Sequence, residues 1–187
     1  MKDLHTMSAE ELVALFKTLK CPDMAEMHGD YQGDLLAQVN GFARLSNTLL
    51  LKNPLAHGIW RSKAFRPIDA NRGRGYNTMR HFGRINQKGP MATLIAPSRF
   101  DGRPAYQLVY RAYHSIVGTM RMVDDVRRVK KGVYLGLGTW GFTAQQRLTP
   151  LPFLLTGPIG AYADDIGEER AGFRVESEIP ALTSARS

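Results

Sequence analysis

His57-Gly-Ile-Trp-Arg-Ser-Lys-Ala-Phe-Arg-Pro67 is the stretch at which the chain changes its period. Before it, apolar residues recur at helical intervals; from Gly58 onward side chains alternate two by two, the signature of a β-strand. Read with strict alternation, Ile59, Arg61, Lys63 and Phe65 share one face, and Trp60, Ser62, Ala64 and Arg66 the other. Similar runs follow at Tyr76–Ile85, Met91–Ala96, Ala105–His114, Thr119–Val129, Val133–Phe142 and Leu148–Leu155, separated by turn-rich segments. The turns fall at 69–75, at 86–90, at Asp101-Gly102 (a strong hairpin signal) and at Lys131-Gly132. Pro150 and Pro152 make the final run an edge or irregular strand. Seven or eight short strands without βα alternation predict a mainly β (α+β) fold. The expected architecture is a small antiparallel, lipocalin-like β-barrel of about seven to ten strands, with an N-terminal helical segment packed on it.

Upstream, Ser8 and Glu11 have capping-box spacing, and Leu12, Leu15, Phe16 and Leu19 form one stripe ahead of Pro22, which predicts a helix over 8–20. Leu35, Leu36, Val39, Phe42, Leu45 and Leu49 predict a second over 35–51. The barrel domain is expected to occupy 1–157, followed by a partly irregular tail over 158–187, rich in glycine and acids. One cysteine, Cys21, excludes an internal disulfide and any cysteine-based zinc cluster. No leader peptide or membrane-length apolar run is evident, so a cytoplasmic location is expected, with a homodimer left open.

Charge is unevenly placed. Of the 25 Lys and Arg residues, sixteen lie between Arg61 and Lys131 with only four acids, a net +12 that leaves −4 on the two ends. Twelve of the sixteen are arginines, whose planar forks bind carboxylate or phosphate bidentately. Two or three of Arg61, Arg80, Arg111 and Arg121 pointing inward would hold an anionic head group, with Tyr76 and Tyr110 supplying hydroxyls and Trp60 and Trp140 the apolar walls. The competing reading places these arginines on a solvated outer face. For acid–base chemistry the candidates are Tyr110, His114 and Asp124. Asp124-Asp125 beside Arg127-Arg128 reads either as such a base or as surface ion pairing. The five histidines have no metal-ligand spacing, so neither metal nor cofactor is expected. Arg72-Gly-Arg-Gly75 reads as a hairpin turn, and Gly132-Val-Tyr-Leu-Gly-Leu-Gly138 as a barrel strand, since it lacks the third glycine and helix of a phosphate loop.

Gly29-Asp-Tyr-Gln-Gly33, then Gly58-Ile-Trp-Arg-Ser-Lys-Ala-Phe65, then the strand–turn–strand Met120–Gly136 resemble, in that order, a bacterial family of uncharacterised proteins named for a Gly-X-Trp-X-Gly signature. Tyr31 stands where the signature has Trp. The resemblance spans roughly residues 8–157. It implies an N-terminal leucine-rich helix on a lipocalin-like β-domain with a ligand pocket, and carries over no activity and no catalytic residue.

The functional expectation is a pocket for a small anionic, amphiphilic or aromatic ligand with a carboxylate or phosphate head group. One alternative is a metal-independent isomerase, cyclase or lyase in the same pocket. Others are nucleic-acid binding or anionic-membrane binding through an outer basic face.

Overall fold

The computed structural model describes residues 3–38, 52–53 and 58–179. Nine strands follow one another: β1 (Gly29–Leu35), β2 (Lys52–Asn53), β3 (Gly58–Pro67), β4 (Arg72–His81), β5 (Arg84–Pro97), β6 (Pro104–Val109), β7 (Val123–Lys130), β8 (Val133–Thr139) and β9 (Leu151–Gly160). All pairings are antiparallel, in the order β1-β9-β8-β7-β6-β5-β4-β3, and β1 also pairs β3. That pairing closes eight strands into a barrel, to which β2 adds a short edge on β3. Closure leaves the eight strands without free edges.

Helix α1 (Ala9–Thr18) begins with the capping box read from the sequence: the Ser8 side chain accepts from Glu11 N–H, and the Glu11 carboxylate accepts from Ser8 N–H. Its buried stripe, Leu12 and Phe16, packs outside the barrel on Leu135, Leu137 and Leu154. The chain then turns across one end of the barrel, where Met24 and Met27 join the interior cluster. Inside that end Tyr31, Phe65, Tyr106 and Tyr134 fill the barrel. Ring centroids lie 5.5 Å apart for Phe65–Tyr106, 5.6 Å for Tyr31–Tyr134 and 5.7 Å for Tyr31–Phe65. These contacts make the lower half a packed aromatic core. Of the second expected helix, residues 39–51 lie outside the described residues; Leu35 is the last residue of β1.

Several boundaries differ from the expectation. The β4–β5 turn is the two-residue loop Phe82-Gly83, both at positive φ (46° and 78°), rather than 86–90, which runs inside β5. A tight hairpin of this kind needs two left-handed residues, and Phe82 gives no sequence signal for one. β6 ends at Val109 in a 3-10 turn, Tyr110–Ala112, so the alternation read through His114 stops short. A helical turn, Ile116–Thr119, precedes β7, capped by Ser115 Oγ accepting from Gly118 N–H. β9 is an interior staple of the barrel, not an edge. Pro152 is tolerated near its start, one residue before the pairing with β1 begins at Phe153.

The tail beyond β9 is irregular yet docked. Ala163 N–H donates to Tyr76 Oη, His114 N–H to Glu168 O and Arg170 N–H to Ala112 O. Ile179 is buried against Ala96, Val109 and Val123.

Candidate functional site

Parity along β3 builds the site. A β-bulge interrupts the β3–β4 register between Trp60 and Ser62, so one extra residue, Arg61, is accommodated there. A single inserted residue shifts every following side chain to the other face. Trp60, Lys63 and Phe65 therefore all point inward, whereas strict alternation separates Trp60 from the other two. The neighbouring β4 turns Asn77 and Met79 inward, with its own register shift between Gly75 and Asn77.

These residues meet in the half of the barrel opposite Met24 and Met27. There the ends of β1, β4, β6 and β8 and the starts of β3, β5, β7 and β9 surround an open cavity of about 80 Å³. Its walls are mostly apolar: Trp60, Phe153, Met79, Met122, Leu35 and Leu151, with Val117 of the Ile116–Thr119 turn beside the opening. Two glycines make room for the rings. A Cβ on Gly33 would stand 2.4 Å from the Trp60 ring, and one on Gly136 would stand 2.1 Å from the Phe153 ring. The rings themselves meet edge to face at 5.9 Å.

The cavity floor is polar. Lys63 Nζ donates to Asn77 Oδ1 at 2.9 Å and to Tyr110 Oη at 2.5 Å, and lies 3.0 Å from Asp124 Oδ2. Tyr110 Oη donates in turn to the same Asp124 oxygen at 2.9 Å. All four residues are buried. Lys63 Nζ also sits 5.2–5.3 Å from the ring centroids of Trp60, Tyr110 and Phe153, where the ring faces favour a cation. Burial lowers the Lys63 ammonium pKa from its ordinary value, and the Asp124 carboxylate opposes that shift. Burial and then the Asp124 charge raise the Tyr110 phenol well above its ordinary range, so Tyr110 stays a hydroxyl donor at neutral pH. An ammonium with three acceptors, a carboxylate and a neutral phenol form a connected proton path at the base of an apolar cavity.

Of the residues expected at a site, the structure brings Trp60, Tyr110 and Asp124 together around this cavity. Arg61 and Arg80 are exposed on the outside, Arg61 because the bulge turns it out. Arg111 and Arg121 both reach Glu178 of the tail, at 3.1 and 2.9 Å. Tyr76 points outward against Tyr162, ring centroids 4.9 Å apart. His114 is exposed beyond the Tyr110–Ala112 turn, and Trp140 follows the end of β8 without lining the cavity. Asp124-Asp125 and Arg127-Arg128 do not pair with one another. Asp125 faces outward toward Arg99, whose N–H donates to it at 3.2 Å. Arg127 is held by Asp101 at 2.7 Å and stacked over Phe16, while Arg128 pairs with Glu26 at 2.9 Å. Sequence reasoning missed Lys63 and Asn77. A lysine two residues before Phe65 on an inward face was the available signal, obscured by the bulge.

Among the described residues no group of three or more His, Cys, Asp or Glu side chains could hold a metal ion, and no helix is long and apolar enough to cross a membrane. No family model matches the chain, and no curated protein matches it. It is similar to the crystal structure of a protein from Thermomonospora curvata, with a TM-score of 0.50 and 17% identity over 80% of this chain and 87% of that one. At that identity the likeness supports the fold, a closed eight-stranded antiparallel β-barrel.

Proposed function

We propose that the barrel binds a small, largely apolar molecule that enters through the open end and presents one polar oxygen to the Lys63–Tyr110–Asp124 floor. The observation that supports this most strongly is an open, mostly apolar cavity above a buried polar cluster. Empty volume in a core costs stability, roughly 24 cal/mol per Å³ in a well-studied cavity series, and a ligand recovers it. A cavity of about 80 Å³ accepts one ring or the end of a short chain rather than a large lipid.

The charge balance refines the anionic expectation. Asp124 already neutralises Lys63, so a carboxylate or phosphate would have to displace Asp124 or leave two like charges together in an apolar site. A neutral carbonyl or hydroxyl oxygen meets no such penalty. Proton transfer by Tyr110 and Asp124 is a compatible second role, favoured by their direct 2.9 Å hydrogen bond. We likewise propose kinship with the Gly-X-Trp-X-Gly family; the seating of Gly33 against Trp60 gives the second signature glycine a reason to lack a side chain.

Calorimetric titration with benzyl alcohol tests the reading. Saturable binding with a negative heat-capacity change is expected in the native protein, and its loss in Val117→Trp, which blocks the opening from a half-buried turn. Absence of binding to the native protein, or equal binding to a folded Val117→Trp variant, contradicts it.

A further inference from the structure

We propose that Lys63 condenses with small apolar aldehydes or ketones in the barrel to form a protonated imine, Tyr110 and Asp124 carrying the protons. The inference rests on the pocket reading above and adds covalent chemistry to it.

Three observations on the floor carry it. The Lys63 amine lines a cavity whose walls are mostly apolar, Lys88 being the other lysine among them, so a carbonyl entering with its apolar body against Trp60 and Phe153 brings its carbon to the Lys63 end, where Asp124 and Tyr110 stand beside the amine. The amine has a proton acceptor 3.0 Å away in Asp124. It also touches the Tyr110 hydroxyl, which is positioned to donate to an oxygen bound beside the nitrogen. An amine nucleophile, a base that takes its proton and an acid that serves the carbonyl oxygen are the groups imine formation requires. Desolvation in the apolar cavity favours the neutral amine and so assists the first transfer.

The step balances. The Lys63 ammonium passes one proton to Asp124, and the neutral amine attacks the carbonyl carbon. The C–N bond forms as the carbonyl π pair moves to oxygen. Tyr110 donates its proton to that oxygen and regains one from the newly cationic nitrogen, giving a neutral carbinolamine. The proton held on Asp124 then reaches the hydroxyl through Tyr110, the C–O bond breaks, water leaves and the nitrogen lone pair forms the C=N bond. One cation beside one carboxylate enters and one leaves: the iminium keeps the ion pair with Asp124 that the ammonium had. No oxidant, reductant or metal is consumed. The iminium is therefore charge-matched to its site, whereas an anionic ligand is not.

The experiment uses the full chain, benzaldehyde and sodium cyanoborohydride at neutral pH, with intact-mass and peptide-mapping readouts, alongside the benzyl alcohol titration. One benzyl group is expected on Lys63, appearing at least about ten-fold faster than on any other lysine, because exposed lysines are almost wholly protonated at that pH. Benzyl alcohol should compete with the labelling. Tyr110→Phe should slow labelling about ten-fold or more while still binding benzyl alcohol, a split that a purely structural role for Tyr110 would not produce. Lys63→Arg should lose the fast phase; if that variant does not fold, site mapping in the native protein still decides. Benzyl alcohol binding without preferential labelling of Lys63 overturns the inference and leaves the pocket reading standing. Failure of both overturns both.

Discussion

At the scale of single residues, two adjacent aspartates show how one strand divides its work. Asp124 faces the cavity and Asp125 the outer wall, where Arg99, Ser98 and, across the strand pair, Gln107 surround it. Asp125 Oδ1 and Gln107 Oε1 are both buried acceptors without a hydrogen-bond partner. Burial raises the Asp125 carboxyl to about 6, with Ser98 and Arg99 opposing the shift and the Asp124 charge adding to it. A folded-state value above the unfolded one of 3.8 means that the folded state binds the extra proton between the two. The stability it contributes is full below about pH 4 and falls as pH rises through about 6, a difference of order 3 kcal/mol. Urea midpoints measured across that window should therefore decline for the native protein relative to Asp125→Asn, which stays neutral throughout; parallel curves would contradict the assignment. Lys63 illustrates the opposite limit. Its burial is tolerable because three acceptors surround it, and removing Asp124 would leave an uncompensated charge, a loss of about 3–5 kcal/mol. Asp124 was legible as a candidate, but the burial of Lys63 was not, because a lysine in a strand is ordinarily a solvated one.

At the scale of elements, the sequence announced α1 through its capping box and apolar stripe, and announced the hairpins at Asp101-Gly102 and Lys131-Gly132 through their turn residues. It did not announce the bulge at Arg61, since a bulge is a property of the pairing with β4 rather than of β3 alone. That one inserted residue decides which of Trp60, Arg61 and Lys63 face the interior, and so the site. Glycine spacing carried more information than its motif-like appearance suggested. Gly136, in a run that superficially resembles a phosphate loop, gives up its side chain to the Phe153 ring. Gly136→Ala should cost about 1–3 kcal/mol by overpacking and push Phe153 into the cavity, weakening benzyl alcohol binding. Gly160→Ala, where the nearest atom to the new Cβ is 3.9 Å away, should stay within about 0.5 kcal/mol. Denaturation midpoints of the two variants check the contrast.

At the scale of the whole molecule, part of the uneven charge is balanced inside the chain. The acids of the two ends fold back onto the arginines of the barrel: Glu26 on Arg128, Asp165 on Arg66 and Arg74, Glu178 on Arg111 and Arg121. Glu178 is fully buried, so the tail is fastened as well as neutralising. The barrel architecture was legible because two-residue periodicity survives small register errors. The partner of the positive charge was not, because complementarity between segments about a hundred residues apart, such as Glu26 and Arg128, leaves no local pattern. The proposed ligand site is the cavity and its floor, and the methionines report on them directly. Met79 and Met122 line the cavity, whereas Met24 and Met27 plug the opposite end. The decisive measurement is a benzyl alcohol titration of protein carrying ¹³C-methyl methionine, followed by NMR. The account predicts saturable shifts of the Met79 and Met122 methyl signals with Met24 and Met27 unmoved. Unchanged Met79 and Met122 signals, or shifts spread evenly over all the methionines, would contradict it.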